Sequence, residues 1–368
     1  MENLSAASKR AQNYSRSSEW YCGFAYTPIK GLGLEVGVHR RDPSSVLLHD
    51  GVFYVYYTKS VGPYFGMSSI GVSNKEIKLY PWDQADIYYA TSSNGINWSE
   101  QGPAVTRGEP GDIDDRTICT PDILEHEGHF YLVYQAQSND VVYSAETESV
   151  GMAVSTSPSG PFEKVKGSIF ERKEQGNWFT EQEPDNYNYG TFVGLVHDPS
   201  LYFYNDQFWL YYKCGYGRAD KVLNDIGHKN GGPDTRWGVA VSDAPTGPFK
   251  PHAANPVTNS GHETMLWNYK DGICALLNRD GPEQDTIQYA KDGVNFEIMA
   301  RINNTPQAGG AFRSKNNDVH PLEGIRWGLC HVDERGSQWN HIVRFDCDPR
   351  FSYKINHNYS NINNTTIF

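Results

Sequence analysis

The chain has 368 residues and a formal net charge of -12, and its aromatic residues include 24 tyrosines and 9 tryptophans. A phosphate backbone would be repelled by most of this surface, and no window approaches the ~20 apolar residues that cross a bilayer, so we expect neither nucleic-acid binding nor a membrane span. The many aromatic side chains suit half-buried strands better than helical bundles, and we predict an all-β protein.

The N-terminal region, residues 1–25, differs from the rest of the chain. Helix formers follow Ser5, a residue suited to an N-cap, and the segment is polar on all sides. We therefore predict a helical extension. The segment lacks the apolar core of a secretory signal. We expect either a protein that stays in the cytoplasm or a periplasmic one whose leader has been removed.

Three segments of the chain repeat one pattern: DPSSVLLHDGVFYVYYTKS, TPDILEHEGHFYLVYQAQS and DPSLYFYNDQFWLYYKCGY. Their prolines, Pro43, Pro121 and Pro199, are spaced 78 residues apart both times. Each segment has a strand-like run, a short polar turn and a second aromatic run, which is typical of a β-hairpin. A later element, such as VAVSDAPTGPF ending at Phe249, occurs in four copies.

A unit of about four strands that repeats with insertions indicates a β-propeller, because each sheet buries its faces only against its neighbours. We predict a five-bladed β-propeller over residues 26–350, with residues 351–368 as a C-terminal tail. The repeat alone is also compatible with four blades. The six cysteines contain no CxxC pair, and we expect buried free thiols.

Equivalent positions at the start of each blade's innermost strand should meet at one axial pocket. Asp42 and Asp198 are equivalent by repeat, Thr120 takes the same place in the second blade, and the fourth blade supplies His262 and Glu263. Three acids and a histidine are suited to glycosidic bond cleavage, which needs a proton donor and a carboxylate. The alternative is that each Asp-Pro pair only caps a turn.

Other residue types near these positions complete a candidate sugar site. Rings stack on the apolar faces of sugars, so Trp237 and Trp267 are candidates, although most large aromatic residues fill the core. His197 adjoins Asp198. Asp42, Asp198 and Glu263 could offer oxygen ligands to a divalent cation, yet no metal-binding motif is present, and we expect no required cofactor.

Several stretches in order along the chain resemble glycoside hydrolase family 117. They include RRDPSSVL from Arg40, DDRTICTPDIL from Asp114, VHDPSL from Val196, NPVTNSGHE from Asn255 and WGLCH from Trp327. The resemblance implies a five-bladed propeller, and exo-cleavage, with inversion, of 3,6-anhydro-L-galactose from the non-reducing end of agar-derived oligosaccharides. It also implies a homodimer that forms through the N-terminal helices.

The resemblance further implies individual roles. Asp42 would be the base that activates water, Asp198 a supporting acid, Glu263 a further essential carboxylate and His262 the general acid. Separately from the resemblance, positions in the sequence make five residues candidates for substrate binding: Thr120, His197, Arg236, Trp237 and Trp267.

The sequence departs from the family pattern at Arg236-Trp237, at the long stretch 215–234, and at GAFRSKNND from Gly310. Arg236 could bind an anionic group, or it could form a surface salt bridge. The substrate could therefore be a different red-algal galactan fragment, for example a sulfated one. A non-catalytic sugar-binding propeller and a propeller of the arabinanase and levansucrase type are the alternative functions.

Overall fold

The computed structural model describes residues 19–66, 75–139, 148–171, 177–179, 190–192, 196–214, 216–217, 235–279, 281, 283–314, 318–333 and 336–348. In these residues the only helical element is a 3-10 turn at Glu323–Ile325, and every other regular element is a strand. No described helix is long and apolar enough to cross a membrane.

Five antiparallel sheets follow one another along the chain, and the predicted five-bladed β-propeller is confirmed. Blade 1 contains β2 (Val38–Arg41), β3 (Leu47–His49), β4 (Val52–Val61), β5 (Asp86–Ser92) and β6 (Trp98–Val105). Blade 2 contains β7 (Thr117–His126), β8 (His129–Gln137) and β9 (Glu148–Ser155), with β10 (Glu163–Lys164) and β11 (Phe170–Glu171) both paired to β9.

The next two blades are four-stranded. Blade 3 contains β14 (His197–Tyr204), β15 (Gln207–Cys214), β17 (Arg236–Ser242) and β18 (Lys250–Pro251). Blade 4 contains β19 (Glu263–Tyr269), β20 (Gly272–Asn278), β21 (Thr286–Ala290) and β22 (Glu297–Arg301). A separate small sheet joins β12 (Asn177–Phe179), β13 (Gly190–Phe192) and β16 (Tyr216–Gly217).

Blade 5 is built from both ends of the chain. It contains β23 (Gly310–Ala311), β24 (Trp327–Asp333), β25 (Asn340–Asp348) and, as its outermost strand, β1 (Gly23–Pro28). β1 pairs with β25 from Gly23↔Asp348 to Pro28↔Val343. The early strand therefore closes the ring. Residues 1–18 of the predicted helical extension and residues 351–368 of the predicted tail lie outside the described residues, as does most of the segment on which the predicted dimer depends. In the described part of the predicted extension, Gly23–Ala25 lie in strand β1 and not in a helix.

Apolar side chains fill the spaces between neighbouring blades. Five clusters of buried residues occur in the described part of the chain, and each draws on two adjacent sheets; Leu132, Leu210, Ala275, Cys330 and Val55 represent them. The six cysteines are free thiols, five of them buried, as predicted. Because each sheet buries its faces only against its neighbours, the order of the blades fixes where the inner strands meet.

The floor of the channel is held by one buried ion pair. Arg313 donates from Nη2 to Asp122 Oδ2 at 2.5 Å, and its guanidinium lies over the Tyr202 ring. Asp122 also accepts from the Ser45 backbone N–H at 3.2 Å and the Ser200 hydroxyl at 2.6 Å. The pair thus joins the inner strands of blades 1, 2 and 3 to the segment that follows β23.

Replacing Arg313 by Met should lower the free energy of unfolding by about 3–5 kcal/mol, because Asp122 would remain as an uncompensated buried charge. Urea unfolding followed by tryptophan fluorescence measures the change. The matched control is Arg326→Met. Arg326 pairs with Glu323 at the surface, where its side chain is 71% exposed. This control should lose less than about 1 kcal/mol. Equal losses in the two variants would contradict the role of the floor pair.

Candidate active site

The inner strands of blades 1, 2 and 3 share an unusual backbone conformation at the cavity. Asp42, Thr120 and Asp198 have φ values of 47°, 46° and 48°. Each stands immediately before a proline, and the ladder register shifts there in blades 2 and 3. A positive φ is tolerated by Asp but strained for a β-branched residue such as Thr. The same backbone conformation therefore recurs in three blades, and it turns three side chains towards the axis of the propeller.

Glu263 reaches the same level of the channel by a different route. It stands six residues before Tyr269, the last residue before the blade 4 hairpin turn, as Asp198 stands six residues before Tyr204. Blade 4 has no bulge there, since Glu263 pairs directly with Asn278. The structure thus brings Asp42, Asp198 and Glu263 together from three blades.

These residues line one cavity, to which all five blades contribute. The described residues of its lining are Asp42, Pro43, Ser44, Ser45, Thr120, Pro121, Asp122, Asp198, Pro199, Ser200, Tyr202, Trp237, Glu263, Thr264, Met265, Leu266, Ala308, Gly309 and Ala311. The lining combines several carboxylates with two aromatic side chains. Such a lining can bind a polar ligand that has apolar faces, as a sugar does.

Asp42 is buried among cationic and imidazole partners. Its carboxylate lies 3.5 Å from Arg41 Nε. The Asp42 backbone N–H donates to His331 Nδ1 at 3.3 Å, and the same nitrogen lies 3.2 Å from Asp42 Oδ1. Burial acts to raise the pKa of Asp42, but the Arg41 guanidinium outweighs it, and the pKa is held well below the ordinary carboxyl value. Asp42 is therefore ionised at neutral pH and can accept a proton.

Asp198 has a different cationic partner. The Lys213 ammonium, on the second strand of blade 3, lies 2.6 Å from Asp198 Oδ2. Burial acts to lower the pKa of Lys213, but Asp198 and then Glu263 raise it above the ordinary lysine value. Lys213 therefore carries a positive charge beside the acids.

Glu263 lies close to the Asp42 partners. Ligand atoms of Asp42, Glu263 and His331 all lie within 4.8 Å of one another, so these three residues could hold a metal ion. Glu263 Oε2 and His331 Nε2 are buried and make no hydrogen bond in the structure. The donor set suits a divalent cation, although Arg41 already supplies positive charge at Asp42.

Polar contacts extend from Thr120 towards His197. The Thr120 hydroxyl donates to Gln135 Oε1 at 3.4 Å, and Gln135 Nε2 lies 3.5 Å from His197 Nε2. His197 in turn lies 2.8 Å from Glu148 Oε1. Thr120 lines the cavity and His197 lies beside it, so the structure brings both of these predicted substrate-binding residues to the site.

The other predicted residues divide into two groups. Trp237 lines the cavity, and its indole donates to the Gly261 carbonyl at 2.8 Å. Trp267 packs in the core between blades 4 and 5 and donates to the Pro321 carbonyl at 2.7 Å, so the structure does not bring it to the cavity. Arg236 is buried rather than on the surface, and His262 is half-buried. Neither belongs to the cavity lining formed by the described residues.

Sequence reasoning missed Lys213 and His331. Both lie on second strands, whose residues were interpreted only as hairpin partners, although WGLCH ends at His331. The detectable signal was their position. Lys213 is a charged residue in the aromatic strand QFWLYYKC, and His331 is a polar residue in the otherwise apolar run WGLCHV, and each needs a buried partner.

Comparisons with known proteins show to which family the chain belongs. A family 117 glycoside hydrolase from the marine bacterium Zobellia galactanivorans superposes with a TM-score of 0.72 and 32% identity, over 90% of this chain and 92% of that one. The chain belongs to glycoside hydrolase family 117. No family model matches the sequence.

Two further likenesses are more distant. An endo-arabinase from Bacteroides thetaiotaomicron has a TM-score of 0.50 and 16% identity, over 88% of this chain and 97% of that one. The sucrose-6-phosphate hydrolase of Zymomonas mobilis is 24% identical over 226 residues, which are 60% of this chain. The match spans only 35% of the length of that relative. The family 117 member therefore gives the family, and the likeness to the endo-arabinase shows the fold alone.

The stability of this family 117 protein should depend on Asp42 at acidic pH. A depressed carboxyl pKa contributes stability that is present above the unfolded value of 3.8 and is lost as the pH falls below it. Asp42→Asn should therefore make the acid side of the stability curve shallower. Urea unfolding at a series of pH values from 6 to about 2.5 measures this. The Asp271→Asn control removes a carboxyl that is 64% exposed, and it should change the curve less. Parallel curves for the wild type and Asp42→Asn would contradict the assignment.

Proposed function

We propose that this family 117 glycoside hydrolase is an exo-acting inverting α-glycosidase. It releases 3,6-anhydro-L-galactose, or a related sugar, from the non-reducing end of agar-derived oligosaccharides. The observation that carries the proposal is an ionised Asp42 beside Glu263 in a cavity to which all five blades contribute. Family membership supports the reaction class.

Asp42 is the proposed general base. Its low pKa keeps the carboxylate charged, and Arg41 and His331 hold it in place. During hydrolysis it takes a proton from the attacking water while the water oxygen bonds to the anomeric carbon. The bond to the leaving oxygen breaks, and that oxygen receives a proton from the general acid.

The spacing of the carboxylates bears on the identity of this acid. The base and the acid of an inverting enzyme usually stand about 6.5–9.5 Å apart, which leaves room for water. The nearest ligand atoms of Asp42 and Glu263 lie within 4.8 Å. This spacing is too short for the base and acid of an inverting enzyme, so under the proposed inversion Glu263 is a supporting carboxylate and another residue is the acid. We assign the acid role to His262, the half-buried neighbour of Glu263 that stands just outside the described cavity lining, and we assign Asp198 to orient the substrate.

The departures in the sequence leave the preferred galactan open. Arg236 is buried beside Trp237, so an anionic substituent would reach it only through the wall of the cavity. An undecorated agar fragment is therefore the first candidate, and a sulfated fragment is the second.

We further propose that hydrolysis requires no metal. Arg41 and Lys213 already neutralise Asp42 and Asp198, the two acids that a cation would otherwise balance. If Asp42, Glu263 and His331 do hold a divalent cation, it would neutralise charge beside the base. Activity should therefore persist after dialysis against a chelator. A loss that returns only when a divalent cation is added back would overturn this proposal.

Defined agar, porphyran and carrageenan oligosaccharides should be incubated with the enzyme, with product release read by chromatography. We expect a monosaccharide from the non-reducing end of an agar fragment, with an inverted anomeric proton by NMR. Three variants should each lower kcat by at least about a thousandfold: Asp42→Asn removes the base, Glu263→Gln removes a supporting charge, and His262→Ala removes the acid. General-base catalysis, electrostatic stabilisation and general-acid catalysis each contribute more than ~100-fold to the rate.

Lys270→Met, at an exposed hairpin turn, is the matched control and should keep the parent rate. Parent rates in all three site variants would overturn the assignment of the residues. Tight oligosaccharide binding without product after long incubation would instead support a sugar-binding propeller. Cleavage of arabino- or fructo-oligosaccharides, with agar fragments left intact, would favour the arabinanase and levansucrase type.

A further inference from the structure

A ring of buried polar residues surrounds the cavity on the second strands of the five blades. We call it the supporting ring; its members are Thr58, Gln135, Lys213, Asn278 and His331. In blades 1 to 4 each member pairs in the ladder with a residue at the bulge or at Glu263, as in Lys213↔His197 and Asn278↔Glu263. No member is more than 5% exposed.

Each member of the supporting ring contacts a backbone or side chain at the cavity level. Thr58 Oγ1 accepts the Thr120 backbone N–H at 2.9 Å, and Asn278 donates to the Pro306 carbonyl at 2.7 Å. Gln135, Lys213 and His331 contact Thr120, Asp198 and Asp42 as described above. The five second strands therefore hold the five channel segments in position.

Lys213 differs from the other members because it is a lysine buried among acids. A buried ammonium is strongly unfavourable unless carboxylates compensate it. Its Nζ meets Asp198 at 2.6 Å, and both Glu263 and Asp42 stabilise its charge. Asp122 in the lining is already paired with Arg313. Without Lys213, the other three acids, Asp42, Asp198 and Glu263, would have only Arg41 as a close cationic partner among the described side chains.

We propose that Lys213 is the positioning residue of the site: it orients the Asp198 carboxylate and balances the negative charge shared by Asp42, Asp198 and Glu263. This role rests on the proposed glycosidase function and deepens it. Lys213 acts through Asp198 and is not itself a proton donor or acceptor in the reaction. Its second consequence is thermodynamic, since the acids can be buried together only while its charge is present.

The catalytic test compares Lys213→Met, Lys213→Ala and Lys213→Arg with the wild type on the accepted oligosaccharide. Lys213→Met should lower kcat about a hundredfold through misplacement of Asp198, with a smaller change in KM. Lys213→Arg should keep part of the rate, and methylammonium or ethylammonium ions should raise the rate of Lys213→Ala in a saturable manner. A purely structural lysine would not give rescue by an added cation. Full activity in Lys213→Met would overturn the proposal.

The matched control is Lys59→Met. Lys59 is also mostly buried, but it pairs with Glu100 and lies over the Tyr88 ring, and none of these three residues belongs to the described cavity lining. It should lose stability while it keeps the parent kcat. If Lys59→Met lost as much kcat as Lys213→Met, the effect would come from general destabilisation, and the proposal would fail.

A second measurement does not depend on hydrolysis. The urea midpoint should fall in Lys213→Met and should recover in the double variant Asp198→Asn/Lys213→Met, because the uncompensated carboxylate is then gone. Additive losses in the double variant would refute the charge-balancing role, even if the wild type were active. If the midpoint recovered while the wild type cleaved none of the oligosaccharides, the charge balance would stand and only the proposed function would fail.

Discussion

The ion pair between Arg313 and Asp122 is the constraint on which the architecture of the site depends. A propeller leaves a hole on its axis, and the inner strands of separate blades make few direct hydrogen bonds to one another. Asp122 accepts from Ser45 and Ser200, while Arg313 donates to Asp122 and to the backbone carbonyls of Ile123 and Leu201. One buried pair thus ties four blades at the floor. The cavity above this ion pair therefore has a floor whose position is fixed.

Charge balance organises the level above the floor. Asp42, Asp198 and Glu263 are brought within a small volume, and acids at such distances would repel one another strongly at low effective dielectric. Arg41 and Lys213 offset that repulsion from neighbouring strands. The site therefore keeps Asp42 ionised beside cations that are held on neighbouring strands, as hydrolysis by an ionised base requires.

Much of the site could be predicted from the repeat. The equivalence of Asp42, Thr120 and Asp198 follows from their shared place before a proline, and the structure explains it by a left-handed residue at each bulge. Trp267 shows the opposite case. The sequence around an aromatic residue of an inner strand does not show whether its side chain lines the cavity or packs in the core. The Trp267 side chain packs in the interface between blades 4 and 5.

The sequence by itself determined the all-β class, the repeating blade and the acids at inner-strand starts, because strand alternation and turn chemistry act over a few neighbouring residues. Only the tertiary structure decided that Lys213 and His331 meet Asp198 and Asp42. His331 and Asp42 are far apart in the chain, and their contact exists because β1 pairs with β25 and closes blade 5 beside blade 1. Contacts of this kind depend on ring closure, a long-range constraint that no local pattern encodes.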